Sequence, residues 1–390
     1  MMNPVYLSYY KRTAFSRAHP KKSEVDQLAE HSGPELLNHL INHFLDTTQL
    51  DPHLIDELSI GCALAVKEQW SFGGRYPVLQ THLGDQCASR MLDQQCGSGL
   101  AALRLASLGV ASGNADIALA AGYEQMTRVP MGPKLFQEGV LTLPKMLESY
   151  DATRVMNMGL TAESLAKKGS ITRESMDQFA FLSHQRAAGA RDQGFLAEEI
   201  LPIELSNGAH FSTDASIRET TTADALAGLS PVFDPEGMVT AGNSSPLTSG
   251  AALIALSSEA ALDKFDANPV AKVLGCIDRG TQPELMGQGV VPAVEKLLKL
   301  HNLTADQIDF WEINEAFSVV PLYAIASLKI DPERVNVHGG ALAIGHPLGA
   351  TGIRLAGTLA RTLHIKQGKL GVAAACIGGG QGIALLLEAV

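Results

Sequence analysis

Two short apolar runs that end in glycine constrain the fold of this 390-residue chain more than any other feature. The first is Asp116-Ile-Ala-Leu-Ala-Ala-Gly122, and the second is Gly371-Val-Ala-Ala-Ala-Cys-Ile-Gly378. A continuous apolar run of this length is typical of a strand that is buried on both faces of a sheet. The similar pattern of the two runs indicates a duplicated α/β unit.

Strand-like and helix-like stretches alternate around both runs. Strands are expected at 5–10, 57–62, 116–121, 309–313, 334–337, 371–375 and 382–387, and helices at 99–112, 316–327 and 352–363. Such alternation is typical of a mostly parallel sheet covered by helices. Between about 122 and 250 the chain is richer in polar and turn-forming residues, with one helix expected from Thr172 to Gly194. We interpret this stretch as a large insertion that lies on the scaffold.

Charge and composition exclude several classes of partner. The formal net charge is −11 and Lys and Arg are not clustered, so neither nucleic acid nor an anionic membrane is expected to bind. No apolar run approaches the roughly 20 residues of a membrane span, and no secretory signal is expected at the start of the chain. The cysteines are scattered without a C-x-x-C pair, which favours reduced thiols and a cytoplasmic location; they are Cys62, Cys87, Cys96, Cys276 and Cys376.

Cys96 is the first candidate for chemistry. It lies in Leu92-Asp-Gln-Gln-Cys96-Gly-Ser-Gly-Leu100, directly before the expected helix. The unpaired N–H groups and the positive dipole at a helix N-terminus favour a thiolate, and the glycines let a substrate approach the backbone. The alternative is a small buried side chain, which is the commoner role of cysteine. The local sequence does not decide between these two roles.

His346 is the second candidate, within a glycine- and proline-rich turn from His338 to Gly352. Such a turn holds the imidazole by backbone geometry, although a structural histidine bonded to a carbonyl group is an equal alternative. The glycines do not form a phosphate-binding P-loop, because the Gly-Lys-Ser/Thr sequence is missing.

Cys376 and Asn314 complete the set of candidates. Cys376 ends an apolar run and precedes a cluster of glycines, whose N–H groups could stabilise an oxyanion, or which could simply form a hairpin. Asn314 follows an expected strand and precedes an expected helix, where an ordinary N-cap is the simplest role. A metal site is not expected, because the cysteines and histidines lack the paired short spacings of zinc ligands.

Taken together, these segments resemble the thiolase family. The matches, in the order that the family has them, are Cys96-Gly-Ser-Gly, Met158-Gly-Leu-Thr-Ala-Glu, Arg173-Glu with Ser183-His-Gln-Arg-Ala, Ala241-Gly-Asn-Ser-Ser-Pro-Leu, Asn314-Glu-Ala-Phe, Gly345-His-Pro-Leu-Gly-Ala-Thr-Gly and Cys376-Ile-Gly-Gly-Gly-Gln-Gly. The resemblance covers nearly the whole chain. It implies an enzyme that cleaves 3-ketoacyl-CoA by thiolysis, or condenses acetyl-CoA units, without a permanently bound cofactor.

The resemblance also implies a fold. It consists of two similar five-stranded mixed-sheet α/β halves packed in layers, with an inserted loop domain that binds coenzyme A. On this chain the N-terminal half would comprise residues 1–120 and 251–270, the loop domain 121–250, and the C-terminal half 271–390. Members of the family are dimers or tetramers, so a homo-oligomer is expected, and association with other β-oxidation enzymes is possible.

Residue roles follow from the same resemblance. Cys96 would be the nucleophile, His346 the group that activates it, and Cys376 the acid/base. Asn314 would hold a water molecule at the first oxyanion site, and the N–H groups of Cys96 and Gly378 would form the second. Three further residues would contact coenzyme A or its acyl end: Arg218, Ser245 and Met158.

Related functions remain as alternatives. Many acetoacetyl-specific members have His-Met where this chain has Asn157-Met158, and the runs after Asn243 and Ser183 are similar to those of degradative 3-ketoacyl thiolases. A dedicated acetoacetyl-CoA thiolase is therefore the first alternative. A ketoacyl synthase is disfavoured by Cys376, and a non-catalytic acyl-CoA-binding protein by the presence of all the reactive residues.

Overall fold

The computed structural model describes residues 2–143, 145–264 and 269–390. Nine strands form the main sheet: β1 (Val5–Thr13), β2 (Glu57–Gly61), β3 (Ala88–Leu92), β4 (Ile117–Gln125), β5 (Thr248–Ser258), β6 (Ala271–Gly280), β7 (Phe310–Ile313), β8 (Leu370–Ile377) and β9 (Gln381–Ala389). Their order is β7-β8-β9-β6-β1-β5-β4-β2-β3. The two-residue strands Ser16–Arg17 and Ile200–Leu201 pair with β5 and β1, and Ile203–Glu204 pairs with His210–Phe211 in a small second sheet.

The helices connect and cover these strands. They are α1 (Gly33–Thr48), α2 (Arg75–Gln80), α3 (Ser98–Ala111), α4 (Pro133–Gln137), α5 (Ala152–Met156), α6 (Met158–Gly169), α7 (Arg173–Asp192), α8 (Phe195–Glu199), α9 (Ala223–Ala227), α10 (Val290–Leu300), α11 (Val319–Leu328), α12 (Ala341–Ile344) and α13 (Leu348–Ile365). The expected helix between Thr172 and Gly194 is confirmed as α7, and the side chain of Thr172 caps it by accepting from the N–H of Ser175. Within the described ranges, no helix has the length and apolar character needed to cross a membrane.

The expected duplication is visible in the strand pairing. In the N-terminal half, β1-β5-β4 are antiparallel neighbours and β4-β2-β3 are parallel neighbours. In the C-terminal half, β6-β9-β8 are antiparallel and β8-β7 are parallel. The two halves meet through two residue pairs of β1 and β6. The sheet is therefore mixed, as the family resemblance implies.

The prediction of a strand at 334–337 is wrong, because these residues do not form an extended strand. Residues 332–334 form a 3-10 turn instead, and one parallel bridge between Trp311 and Val335 occupies the place of a fifth C-terminal strand. Pro332 restricts the chain at this point, and the side chain of Asn336 bonds the N–H and the carbonyl of Ile313, which replaces ladder bonds.

The helices place the sheet halves in layers. Helices α3 and α13 pack against each other and against strands of both halves, while α1 packs on β4 and β5 and α10 on β6 and β9. The resulting order is helix, sheet, helix pair, sheet, helix. The central helix pair is the element that positions the site, because its N-termini follow Cys96 and His346 directly.

The three-unit division of the chain stays a prediction. Strand β4 continues to Gln125 and β5 begins at Thr248, so the regular scaffold extends a few residues into the expected 121–250 insertion. Residues 265–268, within the expected segment 251–270, lie outside the described residues.

Candidate active site

Cys96 lies in a 3-10 turn, Gln95–Gly97, that leads directly into α3. The turn begins at Gln95 with φ of 48°, a left-handed conformation that is uncommon for a residue with a side chain. The side chain of Gln95 stabilises it by donating to the carbonyl of Ala63 and to Asp93. A Cβ at Gly97 would lie 2.4 Å from Cδ1 of Ile377, so the turn lies directly against the side chain at the end of β8. The helix expected directly after Cys96 is confirmed as α3.

The protonation state of Cys96 is decided by burial. Its side chain is almost completely buried, which raises the pKa of the thiol to about 11. The N–H groups of Gly378 and of Cys96 itself act in the opposite direction. Desolvation outweighs both donors, and with them the helix-terminus effect expected from the sequence. Cys96 is therefore a thiol at neutral pH and needs a base to react.

His346 provides a base with a defined tautomer. The hydroxyl of Thr351 donates to the carbonyl of Pro347 at 2.9 Å, so its oxygen accepts from Nδ1 of His346 at 2.7 Å. With the proton on Nδ1, the Nε2 atom carries the lone pair, and Nδ2 of Asn314 lies 3.3 Å from it. Burial, and then the charge of Arg354, lower the pKa of His346 to about 3, so the imidazole is neutral at physiological pH.

Asn314 is held at the end of β7 with an unused acceptor. Its backbone N–H donates to the carbonyl of Ala374 at 2.8 Å, and its side chain is completely buried. Its Oδ1 atom has no hydrogen-bond partner among the described residues. Because a buried carbonyl oxygen without a partner is unfavourable, this atom is suited to bind a water molecule or a polar substrate group.

Cys376 and Gly378 lie next to the Cys96 turn. Cys376 is completely buried near the end of β8, and burial together with the nearby Cys96 raises the pKa of its thiol far above the ordinary value. Gly378 follows in the β8–β9 hairpin, where a Cβ would lie 3.2 Å from Sδ of Met158 and 3.7 Å from Gln95. The two cysteines therefore face the same small space, with the N–H of Gly378 directed at Cys96.

A cavity of about 700 Å³ opens beside these residues. Cys96, His346, Met158 and Ser245 line it, whereas Asn314 and Cys376 are buried behind the lining. Half of the lining residues are Met, Phe or Leu. The cavity therefore suits a ligand with a long apolar part and few polar groups.

Arg218 is a sequence-predicted residue that neither lines this cavity nor is buried behind it. It is exposed, and its backbone N–H donates to Nδ1 of His184 at 3.2 Å. Burial, followed by the charge of Arg218, lowers the pKa of His184 to about 4. Nothing in the described residues brings the guanidinium of Arg218 to the reactive groups.

The structure adds three residues that the sequence did not single out. Oγ1 of Thr248 accepts from the N–H of His346 at 3.0 Å. Glu124 accepts from the N–H groups of Ala63 and of Gly349, which ties β4 to the start of α13. Glu315 accepts from Oγ of Ser183 and from the side chain of Asn336. A buried acidic residue at the end of an apolar strand was the available sequence signal for Glu124.

The described residues of this region do not form a cluster of metal-binding side chains. Within the described parts of the chain, no group of three or more His, Cys, Asp or Glu side chains is arranged to hold a metal ion. The reactive groups are two thiols, an imidazole, an amide and backbone N–H donors.

Comparison with known families agrees with this constellation. Residues 11–260 match the model of the thiolase N-terminal domain, and residues 267–389 match that of the thiolase C-terminal domain. The chain belongs to the thiolase family. Two bacterial proteins are similar to it along most of its length. The 3-ketoacyl-CoA thiolases of Marinobacter nauticus and Hahella chejuensis are 40% and 38% identical to it over 350 residues. In both cases the alignment covers 88% of this chain and 88% of the relative.

Solved thiolase structures have the same fold. Human mitochondrial 3-ketoacyl-CoA thiolase is 30% identical to this chain, and the two structures align with a TM-score of 0.87. The alignment covers the whole of this chain and 99% of the human chain. The human enzyme has also been solved in complex with CoA. Acetyl-CoA acetyltransferase of Bacillus anthracis, 31% identical, aligns over the whole chain and 99% of its own length with a TM-score of 0.89. The thiolase fold expected from the sequence is confirmed.

Proposed function

We propose that this thiolase cleaves 3-ketoacyl-CoA with coenzyme A through an acyl-enzyme on Cys96, and catalyses the reverse condensation. The observation that carries the proposal is the neutral His346, with Nε2 as its basic nitrogen, on the same cavity surface as the Cys96 thiol. The family assignment makes the chain an acyltransferase. The bacterial relatives that it matches along most of its length are named 3-ketoacyl-CoA thiolases.

In the first step, Nε2 of His346 takes the proton of Cys96 while the sulfur attacks the C3 carbonyl of the substrate. The resulting oxyanion is stabilised by His346 and a water molecule held by Asn314, whose Oδ1 is otherwise unpaired. The C2–C3 bond then breaks and its electron pair moves to C2. Cys376 donates its proton to C2, so acetyl-CoA leaves and the acyl group stays on Cys96.

In the second step, the thiol of coenzyme A attacks the Cys96 thioester and loses its proton to the Cys376 thiolate. The N–H groups of Cys96 and Gly378 stabilise the oxyanion, since both are directed at the Cys96 sulfur. Cys96 leaves and regains its proton from His346, which restores the starting state. Dividing the transfer through a thioester replaces one difficult step by two easier ones.

Coenzyme A would enter along the inserted segment. Met158 and Ser245 line the cavity and would contact the acyl end and the pantetheine arm, while the exposed Arg218 would lie near the nucleotide. In this chain Asn157 caps α6 by accepting from the N–H groups of Gly159 and Leu160. Because many acetoacetyl-specific members of the family have His where this chain has Asn157, this position supports a general 3-ketoacyl thiolase over a dedicated acetoacetyl-CoA enzyme.

The assembly and setting of the enzyme belong to the same proposal. We expect a homodimer or homotetramer that acts in the β-oxidation of fatty acids, in a cytoplasm that keeps its five unpaired cysteines reduced. An exposed aromatic patch beside β3, formed by Trp70, Phe72 and Tyr76, is suited to contact with a second copy.

Acylation and turnover separate the roles of the two cysteines. With radiolabelled acetyl-CoA, Cys96→Ala should retain no covalent label, and Cys376→Ser should be labelled at Cys96 yet fail both to turn over and to exchange the α-protons of acetyl-CoA. Cys276→Ala, which changes a cysteine outside the constellation, should behave as the wild type. Label on Cys96→Ala, or normal proton exchange by Cys376→Ser, would overturn the assignment.

A further inference from the structure

Glu124, the next-to-last residue of β4, has a completely buried carboxylate that the proposed reaction steps do not use. Its Oε1 atom accepts from the N–H of Leu64 at 3.2 Å and from Nε2 of Gln69 at 2.8 Å, and the thiol of Cys62 donates to it at 3.6 Å. Burial raises the pKa of this carboxyl group, and the backbone and amide donors act against that rise. A set of partners that all donate fits the ionised carboxylate, which only accepts.

The second oxygen of Glu124 joins two segments that are far apart in the sequence. Oε2 accepts from the N–H of Ala63 at 2.9 Å and from the N–H of Gly349 at 3.0 Å. Ala63 follows β2, whereas Gly349 lies in the first turn of α13. An N–H group in the first turn has no partner within its own helix, and a negative charge is favourable at that end of a helix. The carboxylate therefore fixes the start of α13 against the segment after β2.

Each of these two segments leads directly to a reactive side chain. The carbonyl of Ala63 accepts from the side chain of Gln95, which holds the left-handed turn before Cys96. Ala63 also packs with Cys96 in one apolar cluster. On the other side, Gly349 follows His346 by three residues. The carboxylate is thus linked to the nucleophile and to the base through one short segment each.

The first turn of α13 lies directly on the ends of the central strands. A Cβ at Gly349 would collide with the carbonyl oxygens of Gly61 and Tyr123, and a Cβ at Gly122 would collide with the carbonyl oxygen of Gly349. This contact is formed by backbone on backbone, so no interlocking side chains determine where the turn lies along the strand ends. The directional hydrogen bonds of Glu124 provide that restraint.

We propose that Glu124 is a positioning residue whose carboxylate fixes the distance between the Cys96 thiol and the His346 imidazole. This inference rests on the proposed acyl-enzyme at Cys96. A misplacement of about 1 Å between reacting groups can lower a rate about a hundredfold. Met158 and Ser245, on which coenzyme A would lie, belong to segments that Glu124 does not bond. Loss of the carboxylate should therefore affect the chemical step more than the binding of coenzyme A.

Two variants change the carboxylate in different ways. Glu124→Gln keeps the length of the side chain but places an NH₂ group against partners that are all donors. Glu124→Asp keeps the charge but is one methylene shorter, so it cannot reach both the Ala63 and the Gly349 N–H groups. Each variant should lower kcat for the thiolysis of acetoacetyl-CoA at least about tenfold, and should leave KM for coenzyme A within about twofold.

Glu57→Gln is the matched control. Glu57 is 7% exposed at the first residue of β2, which is the opposite end of that strand from Ala63. Its Oε2 atom lies 2.8 Å from Nη1 of Arg90, a contact that an amide oxygen can keep. Both kcat and KM of this variant should stay within about twofold of the wild type. Chemical denaturation of all three variants measures whether each one is folded.

The outcomes distinguish this inference from the function on which it rests. A kcat within about twofold of the wild type in either Glu124 variant, or a change in KM alone, would overturn it. An equal loss of kcat in Glu57→Gln would also overturn it. Unfolding of both Glu124 variants while Glu57→Gln stays folded would make Glu124 a structural anchor instead of a positioning residue. Failure of the wild type to acylate Cys96 would overturn the proposed function itself.

Discussion

At the scale of single residues, burial sets the reactivity of the site. The thiol of Cys96 has its pKa raised to about 11 and the imidazole of His346 has its pKa lowered to about 3, both mainly by desolvation. Desolvation disfavours both the thiolate of Cys96 and the imidazolium of His346. It therefore leaves a neutral thiol as the acid and a neutral imidazole as the base. Proton transfer between them would create charge only during the reaction, where the N–H groups of Cys96 and Gly378 can stabilise it.

The tautomer of His346 depends on one hydroxyl group. Thr351→Val removes the acceptor for Nδ1–H while the side-chain volume stays similar, so Nε2 would no longer be held as the basic nitrogen. We expect the rate of Cys96 acylation to fall about tenfold to hundredfold, part of the usual contribution of general base catalysis. The measurement is single-turnover acylation with labelled acetyl-CoA, and Thr351→Ser, which keeps the hydroxyl, should retain most of the wild-type rate.

The pH profile of the same reaction provides an independent check. A base whose pKa is lowered to about 3 stays unprotonated as the pH falls from 8 to 5. The wild-type acylation rate should therefore show no loss centred near pH 6.5, the ordinary value for histidine. A loss centred there would contradict the assignment of buried, neutral His346 as the base.

At the scale of secondary-structure elements, glycines bring the two central helices together. Gly99 of α3 faces the start of α13, where an added Cβ would lie 2.6 Å from the carbonyl oxygen of Gly349, and a Cβ on Gly352 would collide with the backbone N–H of Leu100. The N-termini of these helices follow Cys96 and His346. The spacing of the two helices therefore sets the spacing of the two reactive side chains.

Gly352→Ala should disturb stability and chemistry together. The added methyl group meets backbone that cannot rotate away, so we expect the free energy of unfolding to fall by about 1–3 kcal/mol, as for other overpacked cores. The rate of Cys96 acylation should fall as well, because α13 must shift. Chemical denaturation and single-turnover acylation measure the two effects.

Gly189→Ala is the matched control for this change. Gly189 lies within α7, where an added Cβ has its nearest contact at 3.9 Å from the side chain of Gln193. Alanine is the better helix former, so this variant should be as stable as the wild type or more stable. Equal stability of Gly352→Ala and the wild type would refute the close-packing argument.

At the scale of the whole molecule, one edge of the sheet is suited to assembly. β3 is the outermost strand on its side of the described sheet, and α2 packs against it. Trp70 and Phe72, which precede α2, and Tyr76 within it form an edge-to-face and stacked aromatic patch in which each side chain is 39–61% exposed. An open edge strand beside such a patch favours association with a second copy.

Replacing two aromatic residues tests this surface. The double variant Trp70→Asp, Phe72→Asp should shift the light-scattering mass of the wild type, expected to be that of two or four chains, toward that of a smaller assembly. Leu300→Asp is the control, because Leu300 is 52% exposed at the end of α10 in the other half. An unchanged mass for the double variant would show that another surface holds the assembly together.

The sequence by itself determined the kind of fold and indicated the candidate residues of the site. Apolar runs such as 116–121 and 371–375 predicted buried strands correctly, because a strand covered on both faces needs a continuous apolar segment. The motif around Thr172 predicted α7 for a similarly local reason, since a cap and a helical period act within a few residues. The resemblance of seven motifs in order identified the family that the domain matches confirm.

Only the tertiary structure decided the state of those residues. The helix terminus at Cys96 favours a thiolate, but desolvation by burial leaves a thiol. The strand expected at 334–337 became a single bridge, because Asn336 bonds across to β7 instead. The position of His346 and the cavity beside Cys96 depend on contacts between distant segments, such as Thr248 with His346 and Glu124 with Gly349, and no local pattern encodes the electrostatics of such packing.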